Sequence, residues 1–361
     1  MQELEAGRRR NRSASAAGAG MRAVLLTAQR VVTVGRIPRP QVGHPRDVLL
    51  RMLYAGICGS DLHYFREGRI GDQKVRFPMV VGHEGVAEVA EVGDEVRTLR
   101  PGDKVVLDPA ISCGSCDQCQ VGRPHTCRSL RFLGSPGGPA GCMAEYVVLP
   151  EHCCHPLPAG VPFQHGVLAE PLSVALHALR LLGQHPPRSM AILGAGPVGL
   201  CLLAAAQRAG VRYLFVSDPL SWRREAALRM GAELALNPNL TDVVAEVLAA
   251  MPQGVDAVVE CCGEQQALDQ AVKMLAPGGT LAIVGIPRAN RVRFDISTLR
   301  RKELRILNVR RQNKTLAEAV AILPLETELV THEYALAEAQ RGFLAASEYL
   351  EGVIKSVICL A

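Results

Sequence analysis

The sequence predicts an α/β protein of two domains, in which a β-rich domain precedes a domain built on a doubly wound parallel sheet. Its 361 residues correspond to about two domains of 100 to 200 residues each. Residues 21–149 contain short apolar runs separated by dense Gly and Pro, as strand-rich domains do. From residue 188 onward, apolar runs alternate with helical patterns, and such repeated units form parallel sheets.

The alternating region gives the clearest element boundaries. A Pro-Gly-Gly turn at 277–279 is expected to separate its last helix from the strand that follows. We expect strands at 190–193, 213–217, 255–260 and 280–284, and helices at 198–209, 221–230 and 264–275. After residue 304 the pattern becomes mixed again.

The composition is that of an ordinary globular protein. Apolar residues make up 48% and charged residues 21%, with a net charge of +5; this excludes a collagenous chain and gives no basic face for nucleic acid. Residues 1–20 have almost no large apolar side chain, so we expect a disordered leader. The alternative, an organellar transit peptide, is opposed by the early glutamates of this segment and by the absence of an apolar stripe. The uncharged stretch 189–207 is interrupted by Gly and Pro, which argues against a membrane span.

A glycine-rich turn follows the strand predicted at 190–193. Gly194, Gly196 and Gly199 form a G-x-G-x-x-G pattern that opens a helix, the arrangement that lets backbone amides approach a pyrophosphate. Asp218 ends the next strand, where a carboxylate binds a ribose diol and repels a 2′-phosphate, which predicts NAD over NADP. The arginines at 223–224 complicate that preference, since they could neutralise a phosphate. The alternative is a tight turn without a ligand.

Cysteines form a compact cluster between residues 110 and 130. Four thiolates at a C-x2-C-x2-C-x7-C spacing predict a structural zinc with no open coordination position. The alternative, four unrelated cysteines, fits poorly because free cysteines prefer apolar segments. The chain has 12 cysteines, but it is far longer than disulfide-framework proteins and lacks a secretory signal, so a reducing, cytoplasmic location is expected. The cluster consists of Cys113, Cys116, Cys119 and Cys127.

Four further residues are candidates for a second metal site. Cys58, His83, Glu84 and Glu170 have ligand chemistry, but they are too widely spaced in sequence to constrain a geometry. Taken singly, each is better explained as a buried cysteine, a core histidine or a carboxylate at a helix start.

Six motifs in order resemble those of the zinc-dependent medium-chain alcohol dehydrogenases, and most closely the polyol, sorbitol-type dehydrogenases. The motifs are Gly-Ile-Cys-Gly-Ser-Asp-Leu-His-Tyr at 56–64, Gly-His-Glu at 82–84, Pro-Gly-Asp-Lys-Val at 101–105, the four cysteines, Glu-Pro-Leu-Ser-Val at 170–174, and Gly-Ala-Gly-Pro-Val-Gly at 194–199. The resemblance covers nearly all of the chain after Met21.

The resemblance implies a fold and two cofactors. A GroES-like catalytic domain would cover 21–170 and include the zinc lobe at 110–130. A Rossmann NAD-binding domain would cover 171–308, and 309–361 would return to the catalytic domain. It also implies two Zn²⁺ per chain, NAD, a small-molecule substrate and a homo-oligomer, either a dimer or a tetramer.

The resemblance further assigns site residues. Cys58, His83 and Glu84 would hold a catalytic zinc, with Glu170 beside its bound water or replacing it, a set with one open position. Ser60 and His63 would relay a proton, and Tyr64 would contact substrate. The alternative for His63 is a packed or solvent-facing loop histidine. The cofactor contacts would be Gly194, Gly196, Val198, Gly199, Asp218, Arg223, Val284, Gly285, Ile286 and Arg310.

The sequence departs from the family pattern at two places. Ala87 stands where the family usually has a glycine. Arg310 and Arg311 stand where sorbitol-type enzymes carry an Arg-Tyr pair near the substrate. A second cation facing the pocket would favour an anionic polyol such as an aldonate; alternatively, Arg311 points to cofactor phosphate or solvent.

The activity implied is reversible oxidation of a secondary hydroxyl of a polyol or sugar acid to a ketone, with hydride transfer to NAD. A threonine- or idonate-type dehydrogenase of the same family is the alternative. From a different class, a nonenzymatic protein that binds zinc and a nucleotide would have lost the catalytic ligands, whereas Cys58, His83, Glu84 and Glu170 are all present.

Overall fold

The computed structural model describes residues 20–325 and 329–361. The expected leader at 1–20 lies outside the described residues apart from Gly20. The predicted α/β class is confirmed: the described chain contains one large, mostly antiparallel sheet and one parallel sheet flanked by helices.

The first part of the chain is rich in short strands. Its elements are β1 (Met21–Ala28), β2 (Val31–Ile37), β3 (Asp47–Gly56), α1 (Gly59–Glu67), β4 (Arg69–Ile70), β5 (Gln73–Lys74), β6 (Met79–Val80), β7 (Glu84–Val92), β8 (Lys104–Leu107), β9 (Ala110–Ile111), α2 (Asp117–Gln120), β10 (Arg131–Phe132), β11 (Tyr146–Pro150), β12 (Cys154–Pro156) and α3 (Phe163–Gly166). Short 3-10 turns lie at Pro124–Thr126 and Glu151–Cys153.

The second part alternates strands and helices. Its elements are α4 (Ala169–Leu182), β13 (Ser189–Leu193), α5 (Pro197–Arg208), β14 (Tyr213–Ser217), α6 (Ser221–Arg229), β15 (Leu234–Leu236), α7 (Val243–Ala250), β16 (Val255–Glu260), α8 (Gln265–Met274), β17 (Leu275–Ile283), α9 (Ile296–Lys302) and β18 (Arg305–Asn308). The last segment contains α10 (Leu316–Ala321), β19 (Val330–Ala335), α11 (Ala339–Ser347) and β20 (Lys355–Cys359), with a 3-10 turn at Leu336–Glu338.

The large sheet has the strand order β12-β8-β7-β3-β20-β19, and β11 also pairs with β3. Its pairings are antiparallel except that between β19 and β20. The register places Gly56 at the end of β3 opposite Glu84 on one side and Val357 on the other. Three segments distant in sequence therefore meet at the residue that precedes Ile57 and Cys58.

The parallel sheet has the order β15-β14-β13-β16-β17-β18. β13 is buried along its whole length, as expected for a central strand covered on both faces. It leads directly into the glycine turn and α5, so the turn lies at the carboxyl edge of the sheet, where α/β proteins bind ligands.

One expected element boundary is wrong. β17 runs from Leu275 through the Pro-Gly-Gly segment, which was expected to be a turn. Gly278 has φ of 77°, and the pairing register with β16 shifts between Val255 and Ala257. The glycines therefore form a bulge within the strand, because glycine tolerates the left-handed conformation that a bulge requires.

The apolar stretch at 189–207 divides into β13 and α5, separated by the glycine turn. Across the described residues, no helix combines the length and the apolar character that a membrane crossing requires.

Candidate functional site

Asp61 organises the turn between β3 and α1. It is fully buried, and its Oδ2 accepts a hydrogen bond of 3.0 Å from the backbone N–H of Cys58. Its Oδ1 accepts a bond of 3.3 Å from the N–H of Gly82 and lies 3.6 Å from Nδ1 of His83. One carboxylate thus fixes two segments and orients the imidazole, as carboxylates behind metal-binding histidines do.

Cys58, His83 and Glu84 form the first candidate metal site. Their ligand atoms, Sγ, a ring nitrogen and a carboxylate oxygen, all lie within 4.8 Å of one another. Burial lowers the pKa of His83, but Asp61 and Cys58 outweigh that effect and raise it well above its ordinary value. Three ligands of this chemistry with a fourth position open fit a catalytic zinc.

Lys355 forms an ion pair with Glu84 at the same place. The ammonium contacts Oε2 of Glu84, and both side chains are 1% exposed. It also donates a hydrogen bond of 3.1 Å to the carbonyl of Ile57. Burial lowers the pKa of Lys355, but Glu84 and Cys58 together raise it above its ordinary value, so the ammonium stays charged. Sequence reasoning missed this residue, which lies far away in the chain.

Gly56 is required by that ion pair. A Cβ at this position would overlap Oε2 of Glu84 and lie 2.8 Å from Cε of Lys355. The first glycine of the Gly-Ile-Cys-Gly motif therefore leaves the space that two buried charged side chains occupy.

Glu170 lies in the first turn of α4 and is buried. Burial raises the pKa of its carboxyl to about 7; His83 and Lys355 oppose that shift, and Glu84 adds to it. The charge of Glu170 therefore interacts with the site formed by Cys58, His83 and Glu84, but its carboxylate is not one of the three ligand atoms that lie within 4.8 Å of one another.

The residues expected to move a proton lie on α1. The hydroxyl of Ser60 is 3.4 Å from Nε2 of His83. His63 lines the same cleft as Cys58, and its Nδ1 is 3.8 Å from Oε1 of Glu67. Burial is the main cause that lowers the pKa of His63, with contributions from Arg66 and Arg288, while Glu67 opposes the shift.

Arg311 packs on Phe132, whose ring lies near the candidate metal ligand His83. Its Cζ lies 3.5 Å from the ring centroid of Phe132, and the Phe132 ring lies 5.2 Å from that of His83. Tyr64, 5% exposed, interacts electrostatically with the guanidinium, and burial raises the pKa of its phenol. Arg310, in contrast, is exposed, and its charge acts on His125 as well as on Arg311.

The nucleotide side of the cleft is continuous with the candidate metal site. One cavity is lined by Cys58, Ser60, His63 and Glu84 and also by Gly194, Gly196, Val198, Gly199, Asp218, Arg223, Val284, Gly285 and Ile286. These are the residues that the sequence assigned to the cofactor, with the exception of Arg310, which does not line this cavity. An adjoining cavity is lined by Asp218, Arg223, Asn239, Gln270, Arg288 and Tyr349.

The glycine turn fits a dinucleotide. A Cβ at Gly199 would overlap the carbonyl of Gly194, so helix and strand pack closely there, whereas a Cβ at Gly196 would meet only a guanidinium nitrogen of Arg223 at 3.7 Å. The backbone at Gly196 is therefore open to a ligand. Asp218 accepts hydrogen bonds of 2.9 Å from the N–H groups of Ala195 and Leu220, which fixes its carboxylate beside the turn.

Tyr349 connects the two sides of the cleft. Its ring lies 5.0 Å from Cζ of Arg66 on α1 and 5.3 Å from Cζ of Arg223 on α6. Arg223 Nη1 is in turn 3.7 Å from Asp218 Oδ2. No sequence pattern indicated that Tyr349 contacts both arginines, because an aromatic residue on an irregular segment belongs to no periodic pattern.

The four-cysteine lobe forms a second candidate metal site. Sulfur separations of 3.4 Å (Cys113–Cys127), 3.6 Å (Cys116–Cys119), 3.8 Å (Cys116–Cys127) and 4.0 Å (Cys113–Cys119) match the spacing of about 3.8 Å around a tetrahedral zinc with bonds of about 2.3 Å. Hydrogen bonds from the backbone and side chain of Ser115 lower the pKa of Cys113 to about 6, which favours the thiolate.

Comparison with known proteins identifies the family of the chain. Residues 44–159 match the family model of the alcohol dehydrogenase GroES-like domain, and 197–324 match that of zinc-binding dehydrogenases. A sorbitol dehydrogenase from Bacillus subtilis is 32% identical over 343 residues, which cover 94% of this chain and 97% of the relative. An L-idonate 5-dehydrogenase from Vitis vinifera is 36% identical over 255 residues, 69% of either chain.

A solved structure shows the same fold. The zinc-binding dehydrogenase from Sinorhizobium meliloti bound to NADP superposes with a TM-score of 0.86 at 30% identity, over 94% of this chain and 99% of the other. Both halves of the chain match in order, and the relatives align over most of their own length. The resemblance inferred from the six motifs is thus confirmed, and the chain belongs to the zinc-dependent medium-chain dehydrogenase family, among its polyol dehydrogenases.

Proposed function

We propose that this protein oxidises a secondary hydroxyl of a polyol or sugar acid to a ketone, reversibly, with zinc and NAD. The observation that carries the proposal is the single cavity that joins Cys58 and Glu84 to the glycine turn and to residues 284–286. A substrate hydroxyl at the metal site and a nicotinamide in this cavity would be adjacent, which is the geometry that hydride transfer requires. The family membership and the relatives named for polyol substrates support it.

In this proposal Cys58, His83 and Glu84 hold the catalytic zinc. Bound there, the ion would supply Lewis acidity that lowers the pKa of a substrate hydroxyl. Asp61 keeps the imidazole of His83 oriented, and Lys355 balances the charge of Glu84. The four cysteines of the lobe would hold a second, structural zinc, since they leave no open position for a substrate.

Two sets of residues would carry the proton away from the site. Ser60 and His63 are three residues apart on α1, so their side chains share a face of the helix. Ser60 lies at the metal site, and His63 lies at the cleft wall beside Glu67. A proton passed from Ser60 to His63 would therefore move away from the reacting atoms. Glu170 is the second route that we propose, because its buried carboxyl interacts electrostatically with His83 and Glu84.

Asp218 supports NAD as the preferred cofactor. Its carboxylate is fixed by two backbone N–H groups at the end of β14, where it would repel a 2′-phosphate. Arg223 pairs with Asp218 at 3.7 Å, so in this arrangement its charge is partly balanced and does not by itself favour NADP.

The proposal also includes the oligomeric state and the cellular location of the protein. β18 is the outer strand of the parallel sheet, and an edge strand favours pairing with a second copy; we therefore propose a homo-oligomer, testable by light scattering. We also propose a cytoplasmic location, since four of the twelve cysteines would bind zinc as thiolates, which requires their reduced form.

The experiment that tests the function uses purified, zinc-loaded protein. Polyols, aldonates and amino alcohols are offered with NAD, and the reduced cofactor is followed by absorbance. We expect turnover of at least one polyol or aldonate and none by Cys58→Ser. Selective turnover of an amino alcohol would favour the threonine-type alternative, and zinc and NADH binding without any turnover would favour the nonenzymatic one.

A further inference from the structure

Tyr349 occupies a backbone position that normally belongs to glycine. α11 ends at Ser347, and Tyr349 follows with φ of 53°, in the left-handed region that disfavours residues with a Cβ. The N–H of Leu350 donates a hydrogen bond of 3.1 Å to the carbonyl of Ala345, which closes the helix end as a Schellman motif does. Glycine is the usual residue at this point of the motif because it has no Cβ. A tyrosine held there points to a role for its side chain.

The side chain of Tyr349 is fixed on one side by α1. Its ring lies 5.0 Å from Cζ of Arg66, and Arg66 donates hydrogen bonds to the Tyr349 hydroxyl at 3.4 Å and to the carbonyl of Ser347. On its other side the ring lies 5.3 Å from Cζ of Arg223 on α6, a distance at which a guanidinium is attracted to an aromatic ring. Tyr349 lines both cavities of the cleft. It therefore reaches the nucleotide side from an anchored position.

Arg223 lies between the glycine turn and the acid that favours NAD. Its Nη1 is 3.7 Å from Oδ2 of Asp218, and a Cβ at Gly196 would lie 3.7 Å from the same nitrogen. The side chain is 12% exposed, and its Nε has no hydrogen-bond partner among the described residues. A guanidinium with donors left over can bind an anion. Beside Gly196 that anion would be the pyrophosphate, which NAD and NADP share.

Two other arginines near the cleft are directed elsewhere. Nη1 of Arg224 donates hydrogen bonds of 2.8 Å to the carbonyls of Asp218 and Pro219. Nε of Arg288 lies 4.0 Å from Oε1 of Glu67 on α1. Within the described part of the chain, Arg223 is thus the arginine whose side chain lies beside the carboxylate of Asp218. Its orientation decides whether a 2′-phosphate on the adenosine ribose would find a cation.

Resting on the function proposed above, we propose that Tyr349 determines cofactor specificity by holding Arg223 toward the glycine turn. With the guanidinium held there, a 2′-phosphate would meet the carboxylate of Asp218 without a cation that closes on it. Removal of the ring would free the guanidinium to pair with that phosphate through two parallel hydrogen bonds. Tyr349 is a positioning residue in this account, because it acts through Arg223.

Binding of the reduced cofactors tests this proposal without turnover. NADH and NADPH are titrated by calorimetry into zinc-loaded wild type and Tyr349→Gly. Glycine suits the left-handed backbone, so this variant should keep its fold, which thermal unfolding checks. We expect NADPH to bind more tightly and NADH to bind nearly as before, so that the preference for NADH narrows about three- to tenfold, the size of one cation–π contact. In kinetics the change should appear in the KM for NADP rather than in kcat.

Three further variants separate the ring from the turn. Tyr349→Phe should keep the wild-type preference, because it retains the ring. Leu350→Ala, at the next and exposed position of the same turn, is the matched control and should also keep it. In an Arg223→Ala background, Tyr349→Gly should change the ratio no further, because the residue through which it acts is gone.

Four results would overturn the proposal. They are an unchanged ratio in Tyr349→Gly, an equal loss of both cofactors in that variant, a Tyr349→Phe variant that behaves as Tyr349→Gly does, and a wild type that binds NADPH as tightly as NADH.

This proposal and the proposed function fail in different ways. A binding ratio that depends on Tyr349 without turnover of any alcohol would contradict the dehydrogenase function and leave the role of Tyr349 standing. Oxidation of polyols with a cofactor ratio that Tyr349→Gly does not alter would support the function and remove that role.

Discussion

Removing Lys355 should destabilise the metal-free protein strongly. In Lys355→Met the carboxylate of Glu84, which is only 1% exposed, stays buried and loses its cation. Removal of one partner of a buried ion pair lowers the free energy of unfolding by about 3 to 5 kcal/mol. Lys355→Met paired with Glu84→Gln removes both charges, so we expect most of that loss to be recovered. Zinc should also reduce the loss, since a bound cation replaces the ammonium beside Glu84.

Urea unfolding with and without a chelator measures these differences. Trp222 is the only tryptophan of the chain, and its Nε1 donates a bond of 3.1 Å to the carbonyl of Val353, so its fluorescence reports on the segment that carries Lys355. Lys74→Met is the control, because Lys74 is exposed and such changes cost about 0.5 kcal/mol or less. The reasoning is refuted if Lys355→Met matches this control, or if the double variant is as unstable as the single one.

Three further predictions concern the metals, the cofactor and pH. Cys116→Ser should lose one zinc per chain by elemental analysis and unfold more easily, whereas Cys58→Ser should lose the other zinc and keep its fold; retention of both zincs in either variant would contradict the assignment. Wild type should prefer NAD over NADP at least tenfold in kcat/KM, and Asp218→Ala should narrow or invert that ratio; a wild type that prefers NADP would contradict this. Because His63 must be neutral to accept a proton and its pKa is lowered, the acid limb of kcat/KM should lie below pH 6.5 and change in His63→Gln; an unchanged profile would exclude the relay.

Local sequence patterns were sufficient to predict most strands and helices of the parallel-sheet domain. The strands predicted at 213–217 and 255–260 are those observed, and the glycine turn lies between β13 and α5 as expected. The Pro-Gly-Gly segment was predicted wrongly, because the same residues that terminate strands also form bulges within them. Short elements such as β15, with three residues, are too brief to show the alternation of apolar and polar residues that identifies a strand.

Local sequence patterns predicted only part of the candidate site. Asp61 lies within a motif and three residues after Cys58, a spacing at which a carboxylate can accept a bond from the first backbone N–H of a helix, so the sequence contained a signal for it. Lys355 had none, since its contact with Glu84 depends on the pairing of β20 with β3. That pairing is decided by the packing of the whole sheet, which no single segment specifies.

The position of β20 determines when the first domain can be completed during synthesis. β20 lies between β3 and β19 in the large sheet, yet it comes after both of them, and after every strand of the parallel sheet, in the sequence. Until β20 has been synthesised, residues 54–56 of β3 lack their partner on that side, and such an unpaired edge invites pairing with other chains. The strands of the parallel sheet, complete at Asn308, are available earlier although they come later in the sequence. The pairing of β20 with β3 is therefore the event that closes the large sheet and brings the ammonium to Glu84.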